Sequence, residues 1–359
     1  MRESLEFPTD RRIYAQVLSR ARGLTLGLAL GDALGASGGK AAGQLTGTVT
    51  TQLACFTLEG LTRAHVRGQH KGIWHPPSTL WHAYNRWAAM QNLHADQLRR
   101  RWQGGTEGTW PDGWLADVPA LHQRRGSAPA TVATVAGGVM GTPEEPVGHS
   151  RGCHAITRTL PVAIYDIQGL LPADQLARDT AATTHGHPDA WSATALGSTI
   201  AARLLREGDI HAAFDTVARA PSRHYDRALQ GEVRDAAHAG RKGGHPATLR
   251  TLAPDATARS ALLGAIYCTA AHPEPGDVGE ALALACTAPD PDSVAAVTGA
   301  FLGASHGAEA LPSGPTSQIE LAWVVDTLTQ DLLRQVKESP SGTDFDPGDQ
   351  RWWSRYPGW

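Results

Sequence analysis

Residues 31–35 read Gly31-Asp32-Ala33-Leu34-Gly35 and close an apolar stretch that begins near Arg12. Small residues at this end let a second helix or a ligand approach the backbone, and Gly38 and Gly39 just beyond stop the helix. Taken alone, the segment reads as a helix C-terminus carrying one carboxylate, Asp32. Outward from it, alanine is abundant, β-branched alternation is rare, and apolar residues recur at three- and four-residue spacing, which argues for helices rather than strands. The spacing predicts helices over 11–35, 51–66, 77–91, 151–168, 173–183, 189–206, 225–238, 257–271, 277–287, 292–304 and 317–336. Turn signals separate them at Gly104-Gly105, Pro143 to Pro146, Gly243-Gly244 and Pro273 to Gly276. The expected fold class is all-α.

No boundary is evident before about residue 337, so 1–337 is expected to form one helical domain and 338–359 a tail. The tail opens with Ser339 to Asp349, too rich in Pro and Gly to be helical. It ends Arg351-Trp352-Trp353-Ser354-Arg355-Tyr356-Pro357-Gly358-Trp359, aromatic enough to fold back on the domain or cover a partner surface.

With 41% hydrophobic residues over 359 positions, the chain has material for a substantial core. A net charge of only −3 and scattered arginines give no electrostatic case for a nucleic-acid or membrane-surface partner. Cys55, Cys153, Cys268 and Cys286 lie far apart without a CxxC pair, so they are expected to be reduced thiols, in a cytoplasmic protein. The N-terminus carries charges where a signal peptide needs its apolar run, and no segment approaches the roughly 20 apolar residues of a membrane span.

Three further segments carry chemistry. Ser150-Arg151-Gly152-Cys153-His154-Ala155 is a polar turn entering an apolar helix. Ser150 is a candidate N-cap, and the free N–H groups beyond it would suit a phosphate. In Thr183-Thr184-His185-Gly186-His187-Pro188-Asp189, two histidines precede a helix that Pro188 can start; they read better as hydrogen-bonding groups for loops or sugar hydroxyls than as metal ligands. Asp290-Pro291-Asp292-Ser293 is a capping signal, yet two carboxylates and a hydroxyl within four residues also suit a hard cation such as Mg²⁺.

Taken in order, these segments resemble the ADP-ribosylglycohydrolase family over about Arg20 to Pro315. The family's GDALG-like helix end is matched by Gly31 to Gly35. Its Ser-x-Gly-Cys turn and following Arg-x-x-Pro are matched by Ser150, Gly152, Cys153, Arg158 and Pro161. Its Thr-His element is matched by Thr184 and His185. Its closing Asp-x-Asp-Ser and Gly-Ala-x-x-Gly-Ala helix are matched by Asp290, Asp292, Ser293, Gly299, Ala300, Gly303 and Ala304. The resemblance implies a compact orthogonal multi-helix domain and an ADP-ribose-like or ribosyl substrate. It places Ser150, Gly152, Cys153, His154, His185 and His187 as substrate-binding, Asp290, Asp292 and Asp32 as catalytic, and Asp290, Asp292, Ser293 and Thr48 as metal ligands.

The sequence departs from the family where two magnesium ions would be held. The Thr-Asp-Asp-Thr element reads Thr48-Val49-Thr50-Thr51, so both aspartates are replaced. The loop Ala36-Ser37-Gly38-Gly39 lacks the family's glutamate, and Ala288-Pro289 stands where the family has Gly-Gly. Two divalent ions repel strongly, and carboxylates must offset both that repulsion and lost hydration. One Mg²⁺ or none is therefore expected. The leading expectation is hydrolysis of a ribosyl C1 bond in an ADP-ribosylated or related small molecule at an altered site. The alternative is an inactive ADP-ribose-binding protein acting in sensing or interaction. The sequence leaves open whether Glu144 or Glu145 replaces the missing acid.

Overall fold

The computed structural model describes residues 11–103, 109–167, 169–343, 345–346 and 348–358. Helices follow in the order α1 (Arg11–Ala36), α2 (Val49–Lys71), α3 (Pro76–Met90), α4 (Ala95–Trp102), α5 (Pro129–Gly137), α6 (His154–Thr157), α7 (Ala163–Ile167), α8 (Ala173–Ala182) and α9 (Pro188–Glu207). Then come α10 (Ile210–Val217), α11 (Arg227–Gly240), α12 (Pro246–Leu252), α13 (Ala258–Ala271), α14 (Val278–Ala285), α15 (Pro291–His306), α16 (Ser313–Ser317), α17 (Ala322–Glu338) and α18 (Gln350–Arg355). Among the described residues there is no β-strand, only isolated bridges such as Leu45 with Ile319 and Gly152 with Thr257. The fold is all-α, as the apolar spacing indicated.

α1 runs through the centre: every residue from Gly23 to Gly35 is buried, so this helix is enclosed on all sides. Its neighbour α15 lies antiparallel against it, and the contact is made backbone to backbone. A Cβ added at Gly23 would stand 2.1 Å from the carbonyl oxygen of Gly303, one at Gly27 2.1 Å from that of Gly299, and one at Gly31 1.9 Å from that of Ala295. At Gly35 it would stand 2.4 Å from Cα of Asp292. Four glycines spaced four apart thus form one face of α1, and only hydrogen fits beneath them. This packing brings Asp32, near the end of α1, close to Asp292, at the start of α15.

Around that pair, α2, α9, α13 and α17 complete the core. Glu59, Arg63 and Arg86, all fully buried on α2 and α3, satisfy one another: the Glu59 carboxylate receives both guanidinium groups, and Arg63 also pairs with Asp112 at 3.0 Å. Buried charges at this depth are costly unless paired or hydrogen-bonded.

The expected helix over 151–168 is broken in two. Residues 151–153 instead pair with 256–258, Cys153 N–H donating to Ala256 O at 3.0 Å and Ala258 N–H to Arg151 O at 2.9 Å. Pro161, which has no N–H to give, sits in a 3₁₀ turn between α6 and α7. The helix expected from 317 begins at Ala322, because residues 318–320 pair with Leu45 instead. Helices α4, α5, α10, α12 and α18 went unread: each is at most about two turns long, too short for a 3.6-residue period to emerge. The Gly104-Gly105 turn signal lies outside the described residues.

The tail folds back, and it contains the short α18. Trp352 and Tyr356 are buried, Tyr356 donates its hydroxyl proton to Asp331 at 2.5 Å, and the Arg355 guanidinium lies 4.3 Å from the Trp114 ring centre. No helix among the described residues is long and apolar enough to cross a membrane.

Gly27→Ala is expected to cost about 2–4 kcal/mol in urea denaturation, or to prevent folding, because backbone lies where the methyl must go. Gly231→Ala on α11, where an added Cβ meets nothing within 4 Å, should instead stabilise by about 0.5–1 kcal/mol. Equal effects of the two changes would contradict this packing.

Candidate functional site

α1 ends against the N-terminus of α2, and Asp32 makes the joint. Its carboxylate is fully buried and accepts from Thr48 N at 2.7 Å, Thr48 Oγ1 at 2.6 Å, Thr51 N at 3.1 Å and Thr51 Oγ1 at 2.5 Å. Burial pushes its pKa up to about 6, the threonine hydrogen bonds pull it down, and the charge of Asp292 adds to the rise. With these four donors in place, Asp32 braces α1 on α2. It does not line the cleft above it, so its expected catalytic role has no direct contact to act through.

That cleft, of about 380 Å³, is walled by Thr48, Ser150, Gly152, Cys153, His154, His185, Asp290 and Asp292. Four loops that the sequence singled out separately therefore meet at one place. Asp290 precedes Pro291 at the start of α15, yet its side chain caps nothing: Oδ2 is buried without a hydrogen-bond partner, and so is Ser293 Oγ. Burial, and after it the charge and hydrogen bond of Asp290, raises Asp292 to about 6; backbone N–H groups of Asp292 and Ser293 partly offset this. The Cys153 thiol is pushed up by burial and by Asp290, so it stays protonated. His154 is lowered to about 4 by burial and by Arg158, and His185 is pushed well below its ordinary value for the same reasons, so both rings are neutral at pH 7.

One expected residue sits elsewhere, and another lines the cleft without the capping role expected of it. His187 caps α9, its Nδ1 accepting from Asp189 N at 3.1 Å, and it does not line the cleft. Ser150 is no helix cap: its Oγ accepts from Gly152 N at 3.2 Å, two residues on, because 151–153 pair with 256–258 before α6 starts. Glu144 reaches Arg178 at 3.5 Å, and neither it nor Glu145 lines the cleft.

The profile of the ADP-ribosylglycohydrolase family matches residues 14–341. The chain belongs to the ADP-ribosylglycohydrolase family. Of 46 matching chains of solved structures, one described as an "ADP-ribosylglycohydrolase-related protein complex" superposes with a TM-score of 0.60 at 21% identity, over 90% of this chain and 99% of that one. At that identity the likeness speaks for the fold. No curated protein gives a significant match.

Within this ADP-ribosylglycohydrolase fold, sequence reasoning missed the segment Arg125, Gly126, Ser127, Pro129 and Ala130, together with Val49 and Ala256, which complete the cleft wall. A Gly-Ser-x-Pro stretch reads only as a loop, and nothing in its composition points inward. A second cleft of about 450 Å³, lined by Arg151, Asp189, Glu232, Asp255 and Arg259 among others, lies across the 151–153 segment. Its charges are paired: Arg259 with Glu232, Arg151 with Asp189 at 3.9 Å, and Asp255 with Thr257 and Ser260. The smaller cleft, where the loops carrying Thr48, Ser150, His185 and Asp290 meet, is the better candidate site.

A pair of magnesium ions does not fit these residues. Val49 and Thr50 supply no carboxylate, Asp32 is occupied by threonines, and among the described residues no three His, Cys, Asp or Glu side chains converge to hold a metal ion. A single hard cation has Asp290 Oδ2 and Ser293 Oγ as unused oxygen donors, with Asp292 beside them. Thr48 Oγ1 already donates to Asp32 and accepts from Thr50 N, leaving it one lone pair.

Because the folded-state pKa of Asp32 is raised to about 6, the native state binds the extra proton, and stability falls as pH rises from about 4 to about 6. Asp32→Asn should remove this part of the slope, on the order of 2–3 kcal/mol across the window. Its amide N–H would also face the threonine donors, lowering stability at pH 7. Urea denaturation at pH 4, 5, 6 and 7 measures both; parallel curves for variant and wild type would contradict the assignment.

Proposed function

We propose that the cleft binds an ADP-ribose-like or ribosyl small molecule and hydrolyses its ribosyl C1 bond, using the Asp290/Asp292 pair and at most one Mg²⁺. The observation that carries this reading is the buried, unpartnered Asp290 Oδ2 beside the raised Asp292 carboxyl. A capping aspartate would spend its oxygens on backbone N–H groups; this one keeps an oxygen for something else.

C1 cleavage passes through an oxocarbenium-like state and requires a proton for the leaving group and a held water. Asp292, with a pKa of about 6, retains part of its proton near neutral pH and suits the first task. Asp290 suits the second, as the acceptor that orients water. Asp290 and Ser293 would hold the cation, leaving Asp292 its proton, and the cation's charge would make that water more acidic. His185 and the Ser150–Cys153 turn would receive ribose and phosphate oxygens. A specialised small-molecule substrate accords better with the lost aspartates than removal of ADP-ribose from proteins does.

One observation favours a second reading, an inactive ADP-ribose-binding protein: Val49, in the position of a family aspartate, contributes an apolar surface to the cleft wall.

Calorimetric titration of chelator-treated protein with ADP-ribose is expected to show binding that Mg²⁺ strengthens, with the strengthening lost in Asp290→Ala/Asp292→Ala. Binding indifferent to Mg²⁺ would remove the cation from the proposal. No binding at all would sink the proposal.

A further inference from the structure

Arg158 is fully buried at the end of α6, and among the described residues no carboxylate pairs with it. Its guanidinium donates from Nη1 to Thr131 Oγ1 at 2.8 Å and from Nη2 to Thr184 Oγ1 at 2.5 Å, and it lies 4.1 Å from the Tyr84 ring centre. A buried cation held only by two hydroxyls and an aromatic face is costly, so its placement calls for a role beyond packing.

The role follows from proton bookkeeping at Thr184. Arginine can only donate, so Thr184 Oγ1 accepts from it and must send its own proton elsewhere. The other side-chain partner of Thr184 Oγ1 is His185 Nδ1, at 2.8 Å. With the threonine proton directed there, Nδ1 is an acceptor, and the neutral imidazole carries its single proton on Nε2. Nε2 faces the cleft turn: a Cβ built on Gly152 would stand 3.5 Å from it. The opposite tautomer would place two donors on Thr184 Oγ1 and leave its buried hydroxyl proton without an acceptor. Trp191 Nε1 donates to the His185 carbonyl oxygen and holds the backbone of the same residue. The charged and titratable groups acting on the ring are Arg158 and His154, and burial together with Arg158 disfavours a second proton on it.

We infer that Arg158, acting through Thr184, is a positioning residue that locks His185 as an Nε2–H donor into the cleft. His185 thereby recognises an acceptor oxygen of the ligand, a ribose hydroxyl or a phosphate oxygen, and is barred from serving as a general base at that nitrogen. Proton abstraction in the cleft then falls to the other titratable groups that line it, Asp290, Asp292 and His154. The identity of the ligand rests on the proposed function; the tautomer does not.

The test is long-range ¹H–¹⁵N NMR of the ligand-free protein labelled at histidine, at pH 7, with the His185 signals identified by their loss in His185→Gln. The expected pattern is a protonated Nε2 and an acceptor Nδ1 in the wild type and in Thr184→Ser. Thr184→Val should populate the Nδ1–H form and weaken ADP-ribose binding by about 5- to 10-fold, the loss of one neutral hydrogen bond. A wild-type ring protonated on Nδ1 or on both nitrogens, or a Thr184→Val ring with an unchanged tautomer, would overturn the inference. Arg158→Met should act as Thr184→Val does; if it fails to fold, the wild type and the Thr184 variants decide. If wild type shows the expected tautomer yet binds no ADP-ribose, the proposed function fails and the Arg158 relay stands.

Discussion

Backbone contact between α1 and α15 is the constraint on which the rest of the molecule depends. Four glycines on α1, each with a carbonyl or Cα of α15 where a methyl would be, let the two helix axes come closer than side chains would allow. Such contact gives little apolar burial per residue, so its value lies in placement. It carries the end of α1, with Asp32, to the start of α15, with Asp290 and Asp292. Asp32 in turn anchors the first turn of α2 through Thr48 and Thr51. Loss of any one of these glycines would shift two helix ends, and the cleft is built on both.

On that frame the site is an arrangement of orphaned oxygens and neutral donors. Asp290 Oδ2 and Ser293 Oγ lack partners, while His154 and His185 are held uncharged by burial and by Arg158 behind them. Asp32, though a nearby carboxylate, accepts hydrogen bonds from Thr48 and Thr51 and does not line the cleft. On the α2 side, Thr48 and Val49 give the cleft a hydroxyl and an apolar surface.

Much of this was legible in the sequence, and the reasons differ by element. The long helices were visible because burial on one face imposes a period over many turns. The loops at Ser150, His185 and Asp290 were visible because Gly, Pro and capping residues mark helix starts, and a ligand site at helix ends reuses those marks. Three things were hidden. The extended pairing of 151–153 with 256–258 joins segments far apart in sequence, so no local signal announces it. The wall from Arg125 to Ala130 is a loop whose direction only tertiary packing sets. The role of Asp290 does not follow from its position: the helix-end carboxylate of Asp32 is a brace, whereas the apparent cap keeps an oxygen free. Capping propensity is a statement about backbone position, and Asp290 occupies the N-cap position without bonding to it.

Hydrogen–deuterium exchange with and without ADP-ribose tests most directly the claim that these loops form one ligand site. Slowed exchange confined to the segments around 125–131, 150–154, 185 and 290–293 is the expected result. Protection absent from all of them, or confined to the Arg151, Glu232, Asp255 and Arg259 cleft, would contradict it.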